Sequence, residues 1–66
     1  MKLIYDKNNY MPMDLIKTYF KQNKFIMCET VDGKQNYAKE VGRLKGVMHV
    51  RTQQGWVEPQ KLYLVN

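Results

Sequence analysis

Residues 25–33, with the sequence Phe-Ile-Met-Cys-Glu-Thr-Val-Asp-Gly, decide the fold of this chain. The first seven are rich in β-branched and aromatic residues, which favour a strand. Apolar side chains alternate onto both faces of that strand, and this pattern predicts that it lies in the middle of a sheet. Asp32-Gly33 is a strong hairpin signal, because glycine tolerates the positive φ that tight turns require. We therefore expect a returning strand directly after Gly33.

Residues 35–41 fit that returning strand, with Tyr37 and Val41 in phase. The same stretch also fits a short helix over 35–45, since apolar residues recur there at every third position. Both readings stay open from the sequence alone.

Gly42 and Gly46 bracket Arg43-Leu44-Lys45 and predict a bend at these three residues. In such a bend we expect Leu44 to turn inward and the two flanking cations to face outward together. Binding residues often collect on loops of this kind.

Upstream, residues 2–5 predict a strand and residues 6–9 the turn after it. Residues 12–23 predict a helix: Pro12 suits the first helical position, and Leu15, Ile16, Tyr19 and Phe20 share one face. Met11 cannot accept a hydrogen bond from the first turn, so the N-cap is expected to be poor. Asn23 and Lys24 suit the C-terminal end.

Downstream, residues 47–52 predict a strand, 53–55 a turn, and Trp56-Val57 the start of the paired strand. Pro59 cannot donate a ladder hydrogen bond, so it should lie at an edge or an end. Residues 58–61 predict one short helical turn, and 62–65 a final strand.

This order of elements predicts an α+β fold, a small, strongly bent antiparallel sheet with one N-terminal helix at about 12–23. Residues 55–65 resemble the end of SH3-like small barrels, in which a strand, a short helical turn and a last strand follow one another. The resemblance implies a partly open barrel. The alternative is a winged helix, with helices at 12–23 and 35–45 and a wing at 47–58.

The 66 residues predict one domain, 1–66, with a small core. The single cysteine excludes an internal disulfide, and no apolar run is long enough to span a membrane. The N-terminus shows no signal-peptide pattern. We therefore expect the reducing cytoplasm as the compartment.

Candidates for enzyme chemistry are few. His49 lies in an apolar run and is expected to be a strand residue with a satisfied ring, and Cys28 is expected to act as a small hydrophobe. One cysteine and one histidine cannot complete a structural zinc site. Arg, Lys and Tyr alone can serve very small basic endoribonucleases, but no signature order of these residues is present. We expect no catalysis, no metal and no cofactor.

Positive charge points to a polyanionic partner. The net charge is +5, and residues 34–66 hold six cationic and only two acidic side chains. Cations contact phosphates without reading sequence, and aromatic rings stack on exposed bases. We expect a nucleic-acid backbone, DNA or RNA, as the partner of the 34–51 segment. The predicted contact residues are Lys34, Lys39, Arg43, Lys45 and Arg51, with Tyr37 as a stacking residue.

The alternative is a protein-interaction or inhibitor domain that binds an acidic protein surface. The chain holds five Met, five Tyr and one Trp, residue types that are enriched at interfaces. Met11 and Met13 flank Pro12 and are expected to be partly exposed. A domain with so small a core can also complete its burial as a homodimer. Compact chains of this kind are typical of the accessory proteins of phages and mobile elements, which bind host or viral proteins.

Overall fold

A computed structural model of the chain describes residues 1–22 and 25–65. Within these residues one helix and six strands form. The elements are β1 (Lys2–Asp6), α1 (Met13–Lys21), β2 (Ile26–Glu29), β3 (Gln35–Leu44), β4 (Val47–Thr52), β5 (Gly55–Val57) and β6 (Lys61–Leu64).

The strands form one antiparallel sheet in the order β1-β6-β2-β3-β4-β5. The sheet is not closed, and β1 and β5 lie at its two edges. The predicted α+β class, mostly sheet with one helix before β2, is confirmed. The central position predicted for the second strand is also confirmed, since β2 lies between β6 and β3.

The core lies between α1 and one face of the sheet, which we call the inner face. The register places Ile26 opposite Ala38, and Cys28 opposite Leu62, so their buried side chains share this face. Ile16 of α1 is fully buried against it. The buried apolar residues are Ile4, Ile16, Ile26, Cys28, Ala38, Val50 and Leu62. The opposite face, which we call the outer face, carries the alternate side chains of each strand.

The predicted hairpin at Asp32-Gly33 is confirmed. Gly33 has a φ of 84°, in the region that favours glycine. The Thr30 amide donates to the Lys34 carbonyl at 2.9 Å and closes the turn. β3 then returns antiparallel to β2.

Residues 35–45 contain a strand and not a helix, so the winged-helix alternative lacks the second helix that it requires. The bend predicted at 43–45 is correct only for Lys45, because β3 continues through Gly42 to Leu44, which pairs with Val47. The turn is formed by Lys45 and Gly46, with φ values of 53° and 79°. Pairing with β4, which no local pattern encodes, decides the length of this strand.

As a consequence, Leu44 is exposed and does not turn inward. It lies opposite Val47 on the outer face, whereas Arg43 lies opposite Met48 on the other face. Arg43 therefore belongs to a strand, and only Lys45 belongs to the turn. Strand residues two apart share a face, but Lys45 has a φ of 53° and lies outside the strand, so this alternation does not set its direction relative to Arg43.

The helix covers most of the predicted range. It begins at Met13, with Pro12 as the N-cap and not as the first helical residue. No side chain caps it, as the sequence predicted, because neither Pro12 nor Met11 offers an acceptor. The predicted stop at Asn23 and Lys24 lies outside the described residues. No helix in residues 1–22 and 25–65 has the length and hydropathy needed to cross a membrane.

The helical turn predicted at 58–61 does not form. Backbone hydrogen bonds hold Gln60 between two neighbours: its amide donates to the Glu29 carbonyl at 2.8 Å, and its carbonyl accepts from Lys7 at 2.9 Å. These bonds to other segments replace those of a local turn. Pro59 is buried between β5 and β6, outside both strands, which confirms its predicted place at a strand end.

Candidate nucleic-acid interface

A row of apolar and aromatic side chains crosses four neighbouring strands on the outer face. Leu3 of β1 lies opposite Tyr63 of β6, Tyr63 lies opposite Met27 of β2, and Met27 lies opposite Tyr37 of β3. Phe25, just before β2, packs edge-on against Tyr37 with 6.2 Å between ring centroids. We call these five residues the aromatic row.

Two of the three rings of the aromatic row are exposed to solvent, and Tyr63 is partly buried. Tyr37 is 52% exposed and Phe25 is 65% exposed. Exposed apolar patches on the surface of a small protein mark interaction sites, so these two rings indicate one here. The row is exposed because α1 covers the inner face, and no described element packs over this part of the outer face. Phe25 and Met27 lie on the outer face because side chains alternate between the two faces along residues 25–31, as the sequence pattern predicts.

Two cationic side chains lie beside the aromatic row. Lys39 occupies a bulge in β3, where the pairing with β4 shifts register between Ala38 and Glu40. Such an extra residue re-aims the side chains next to it. Lys39 and Arg51 line one shallow groove together with Tyr37 and Met27. The structure thus brings together three of the six predicted contact residues.

Arg51 is already engaged by a carboxylate. Its Nε donates to Glu40 Oε1 at 2.6 Å, across the β3–β4 pair. Lys39 lies within 4.0 Å of no described carboxylate oxygen. Lys39 therefore has no described ion-pair partner, whereas the ion pair with Glu40 fixes the position of the Arg51 side chain.

The other three predicted residues lie at the two ends of β3. Lys34 is in the β2–β3 turn, with its Nζ 3.9 Å from Asp32. The Thr30 hydroxyl also donates to Asp32 and lowers the pKa of that carboxyl, so the carboxylate stays charged beside Lys34. Arg43 and Lys45 are at the opposite end of the strand. The six residues do not form one cluster.

Trp56 lies on the outer face, at the far side of the sheet from Leu3. It pairs with Arg51 and is 43% exposed. The far end of its indole lies over Gly42, where an added Cβ would be 3.6 Å from ring carbons Cζ3 and Cη2. Trp56 therefore supports the β3–β4–β5 surface and also presents an open part of its ring to solvent.

Sequence reasoning missed Phe25 and Tyr63 as members of the site. Phe25 was assigned to a strand face, and Tyr63 to the last strand, but the pairing of β6 between β1 and β2 was not foreseen. That pairing sets Tyr63 beside Met27. The alternation within each strand indicates which side chains share a face. Only the order of the strands shows that Phe25, Tyr37 and Tyr63 lie near one another on that face.

The side chains that the sequence analysis weighed for enzyme chemistry, Cys28 and His49, lie on different strands, β2 and β4. Cys28 is buried, and burial raises the pKa of its thiol to about 11, with a smaller contribution from the negative charge of Glu29. His49 Nδ1 lies 2.9 Å from the Val47 carbonyl oxygen, so its ring has the partner that was predicted. In the described part of the chain no three His, Cys, Asp or Glu side chains come together as metal ligands would.

The arrangement on the outer face can therefore bind flat, apolar or π-rich groups next to anionic ones. Open rings offer stacking surfaces, and the adjacent lysine and arginine offer charge-assisted hydrogen bonds. Comparison of the chain with models of protein families, with curated proteins and with solved structures finds no match.

Proposed function

We propose that this chain is a small, basic, non-enzymatic binding module that holds single-stranded nucleic acid, DNA or RNA, on the outer face of its sheet. The observation that carries the proposal is the exposure of Tyr37 and Phe25 next to Lys39. Bases stack on open aromatic rings whatever their sequence, and cations follow the phosphates between them. Each stacked base contributes about 1 to 3 kcal/mol to binding.

Phosphate contacts are assigned to the cations of the 34–51 segment. Lys39 and Arg51 act beside the aromatic row, and Lys34 and Lys45 extend the positive surface to both ends of β3, whereas Arg43 lies on the inner face and outside this surface. None of these contacts reads base identity, so binding is expected to be weakly sequence-specific and strongly dependent on salt.

A single strand suits this surface better than a duplex does. Stacking on Tyr37 requires an unpaired base whose face is free, and a duplex offers such faces only at its ends. A groove reader would instead present a helix to the major groove. The only helix of the described residues packs Ile16 into the core and contains no run of base-reading side chains.

The sheet itself is proposed to be of the SH3-like, partly open type. Support comes from β5 and β6, which follow each other after a short break at 58–60 and lie at different places in the sheet, although the helical turn of the resemblance is absent from that break. Small antiparallel barrels commonly use one sheet face to bind oligonucleotides.

The test is a titration of fluorescently labelled oligothymidylate of about 12 nucleotides, a length within the usual range of small single-strand binders. We expect the single strand to bind more tightly than a duplex of the same length. The logarithm of the affinity should fall with the logarithm of salt concentration by about 0.7 for each phosphate contact. Equal affinity for single strand and duplex, or affinity independent of salt, would overturn the proposal.

A second candidate function is a protein-interaction or inhibitor module, of the phage or mobile-element accessory type. It is favoured by a groove near the start of α1, lined by Tyr10, Met11, Met13, Arg43 and Met48. Tyr10 is 90% exposed. Tyr, Met and Arg are enriched at protein interfaces, and the cations here would suit an acidic partner surface.

Recovery of the full chain from a native extract, with and without nuclease, separates the two functions. Nuclease-sensitive recovery of nucleic acid supports the first function. A stoichiometric protein that survives nuclease supports the second, and a second copy of the chain in that position would mean a homodimer.

A further inference from the structure

We propose that the groove between α1 and Trp56 is a second nucleotide subsite, in which a base stacks on Trp56 while the phosphates on either side contact Lys17 and Lys21. This inference rests on the proposed function, because the same single strand would occupy the aromatic row and this groove. Its ligand class is a phosphate-linked nucleotide and not a free anion.

The groove brings three lysines from two elements to one place. Lys17 and Lys21 are four residues apart on α1 and so lie on the same side of the helix, one turn apart. They line the groove together with Lys39 of β3, and Phe20 and Trp56 form its apolar part. Three exposed positive charges around two aromatic rings make this part of the surface attractive to an anion.

The carboxylate in this groove does not neutralise the lysines. Glu40 lines it, but its Oε1 accepts the hydrogen bond from Arg51 at 2.6 Å. Among the described residues no carboxylate oxygen lies within 4.0 Å of Lys17, Lys21 or Lys39. An incoming phosphate is therefore the partner that these three ammonium groups lack.

The indole of Trp56 packs on the backbone of β3 and leaves part of its surface open for stacking. The far end of its indole lies against Gly42, which has no side chain to push it away, while the residue stays 43% exposed. A ring supported on the backbone and open to solvent loses little conformational entropy when a base stacks on it. The apolar side of the groove is thus ready for a base, and the lysine side is ready for its phosphates.

Lys39 joins this groove to the aromatic row. It lines both the groove with Tyr37 and Arg51 and the groove with Trp56 and Lys17. The bulge that places Lys39 in β3 therefore lies between the two stacking surfaces. A single strand that passes over Lys39 can reach Tyr37 on one side and Trp56 on the other.

The experiment compares the double variant Lys17→Gln/Lys21→Gln with Lys2→Gln/Lys7→Gln, which removes the same charge from β1 and its following turn. Glutamine is nearly as good a helix former as lysine, so α1 should stay folded, and thermal melting checks this. The probe is labelled oligothymidylate, titrated at several salt concentrations. The fluorescence of Trp56, the only tryptophan of the chain, is followed in the same titrations.

We expect the oligonucleotide to quench Trp56 in the wild type. The helix variant should lose about 1.4 from the slope of log affinity against log salt, since each single-strand phosphate contact contributes about 0.7. The control variant should keep its slope. An unchanged slope in the folded helix variant, or the same loss in both variants, would overturn the subsite.

The failure of the subsite can be told from the failure of the proposed function. If the wild type binds oligothymidylate in a salt-dependent way but Trp56 is not quenched and the helix variant keeps its slope, the aromatic row alone is the site. If the wild type does not bind at all, both inferences are overturned together.

Discussion

Trp56 of β5 reaches across β4 to lie on Gly42 of β3. An added Cβ at Gly42 would meet the indole at 3.6 Å, an ordinary van der Waals distance. The φ of Gly42 is not in the left-handed region, so the backbone conformation does not require glycine there. A methyl group at position 42 would fit beneath the indole, whereas a longer side chain would displace the ring.

Two substitutions of Gly42 test how much space the Trp56 indole leaves above it. We expect Gly42→Ala to fit beneath the indole and to stabilise the protein by about 0.4 to 1 kcal/mol, because it reduces the freedom of the unfolded chain. Gly42→Leu should displace Trp56 and change its fluorescence. Chemical denaturation and tryptophan emission check both variants. A destabilised Gly42→Ala protein, or unchanged emission in Gly42→Leu, would contradict the packing described.

The turn between β3 and β4 also permits a stability prediction. Lys45 and Gly46 both have positive φ, as a type I′ turn requires, and Asn-Gly is preferred over Lys-Gly there. Lys45→Asn should therefore increase the free energy of unfolding by up to about 1 kcal/mol, and so raise the melting temperature. Lys34→Asn removes the same charge from the other hairpin and should bring no such gain. A lower melting temperature for Lys45→Asn would argue against this turn.

Much of the strand pattern could be predicted from the sequence because it is local. The residues Asp32-Gly33 favour a tight turn at their own position, and the alternation around Met27 indicates a strand with two apolar faces. The extent of β3 could not be predicted, because Leu44 belongs to it only through its pairing with Val47. The inward turn assigned to Leu44 was wrong for the same reason.

The candidate site was predictable only in part. Tyr37, Lys39 and Arg51 were named from the sequence as contact residues, and they line one groove. Phe25 and Tyr63 join Tyr37 through strand order, which is a property of the whole sheet. Lys17, Lys21 and Trp56 line one groove because of where α1 lies relative to β5, and the periodicity of residues 12–23 does not encode that placement.

Cys28 offers a prediction about pH. Its thiol pKa is raised from 9.0 to about 11 in the folded protein, mainly by burial, whereas in the unfolded chain it titrates near 9. Between pH 9 and pH 11 the unfolded state therefore loses a proton that the folded state keeps. Stability contributed by this group is complete below pH 9 and falls as pH rises, by about 1.4 kcal/mol per pH unit at most.

Urea denaturation of the wild type and of Cys28→Ala at several pH values checks this. The alanine variant should lose roughly 1 kcal/mol at neutral pH, from the loss of a small buried group. Its stability should then fall less steeply than that of the wild type above pH 9. Parallel curves for the two proteins would mean that the thiol does not titrate differently on folding.

The Arg51–Glu40 pair gives a prediction about charge. Glu40→Gln leaves the Arg51 side chain in place but removes the carboxylate that competes with phosphate. We expect tighter binding of oligothymidylate and a salt slope steeper by about 0.7. The cost in stability should be within about 1 kcal/mol, since the pair is exposed.

Glu58→Gln is the matched control for that change. Glu58 forms another exposed ion pair, with Lys7 at 2.9 Å, away from the aromatic row. The control adds the same net charge but should change affinity much less than Glu40→Gln does. An equal gain in both variants would mean that net charge alone, and not the Arg51 groove, governs binding.

If nucleic-acid bases stack on the outer face of the sheet, Tyr37→Ala should bind oligothymidylate more weakly than the wild type does. The control is Tyr10→Ala, which removes the same side chain from a more exposed position outside the aromatic row. We expect a loss of about 1 to 3 kcal/mol in binding free energy for Tyr37→Ala, with its melting temperature nearly unchanged, and no loss for Tyr10→Ala. Wild-type affinity in a folded Tyr37→Ala protein would mean that bases do not stack on this face.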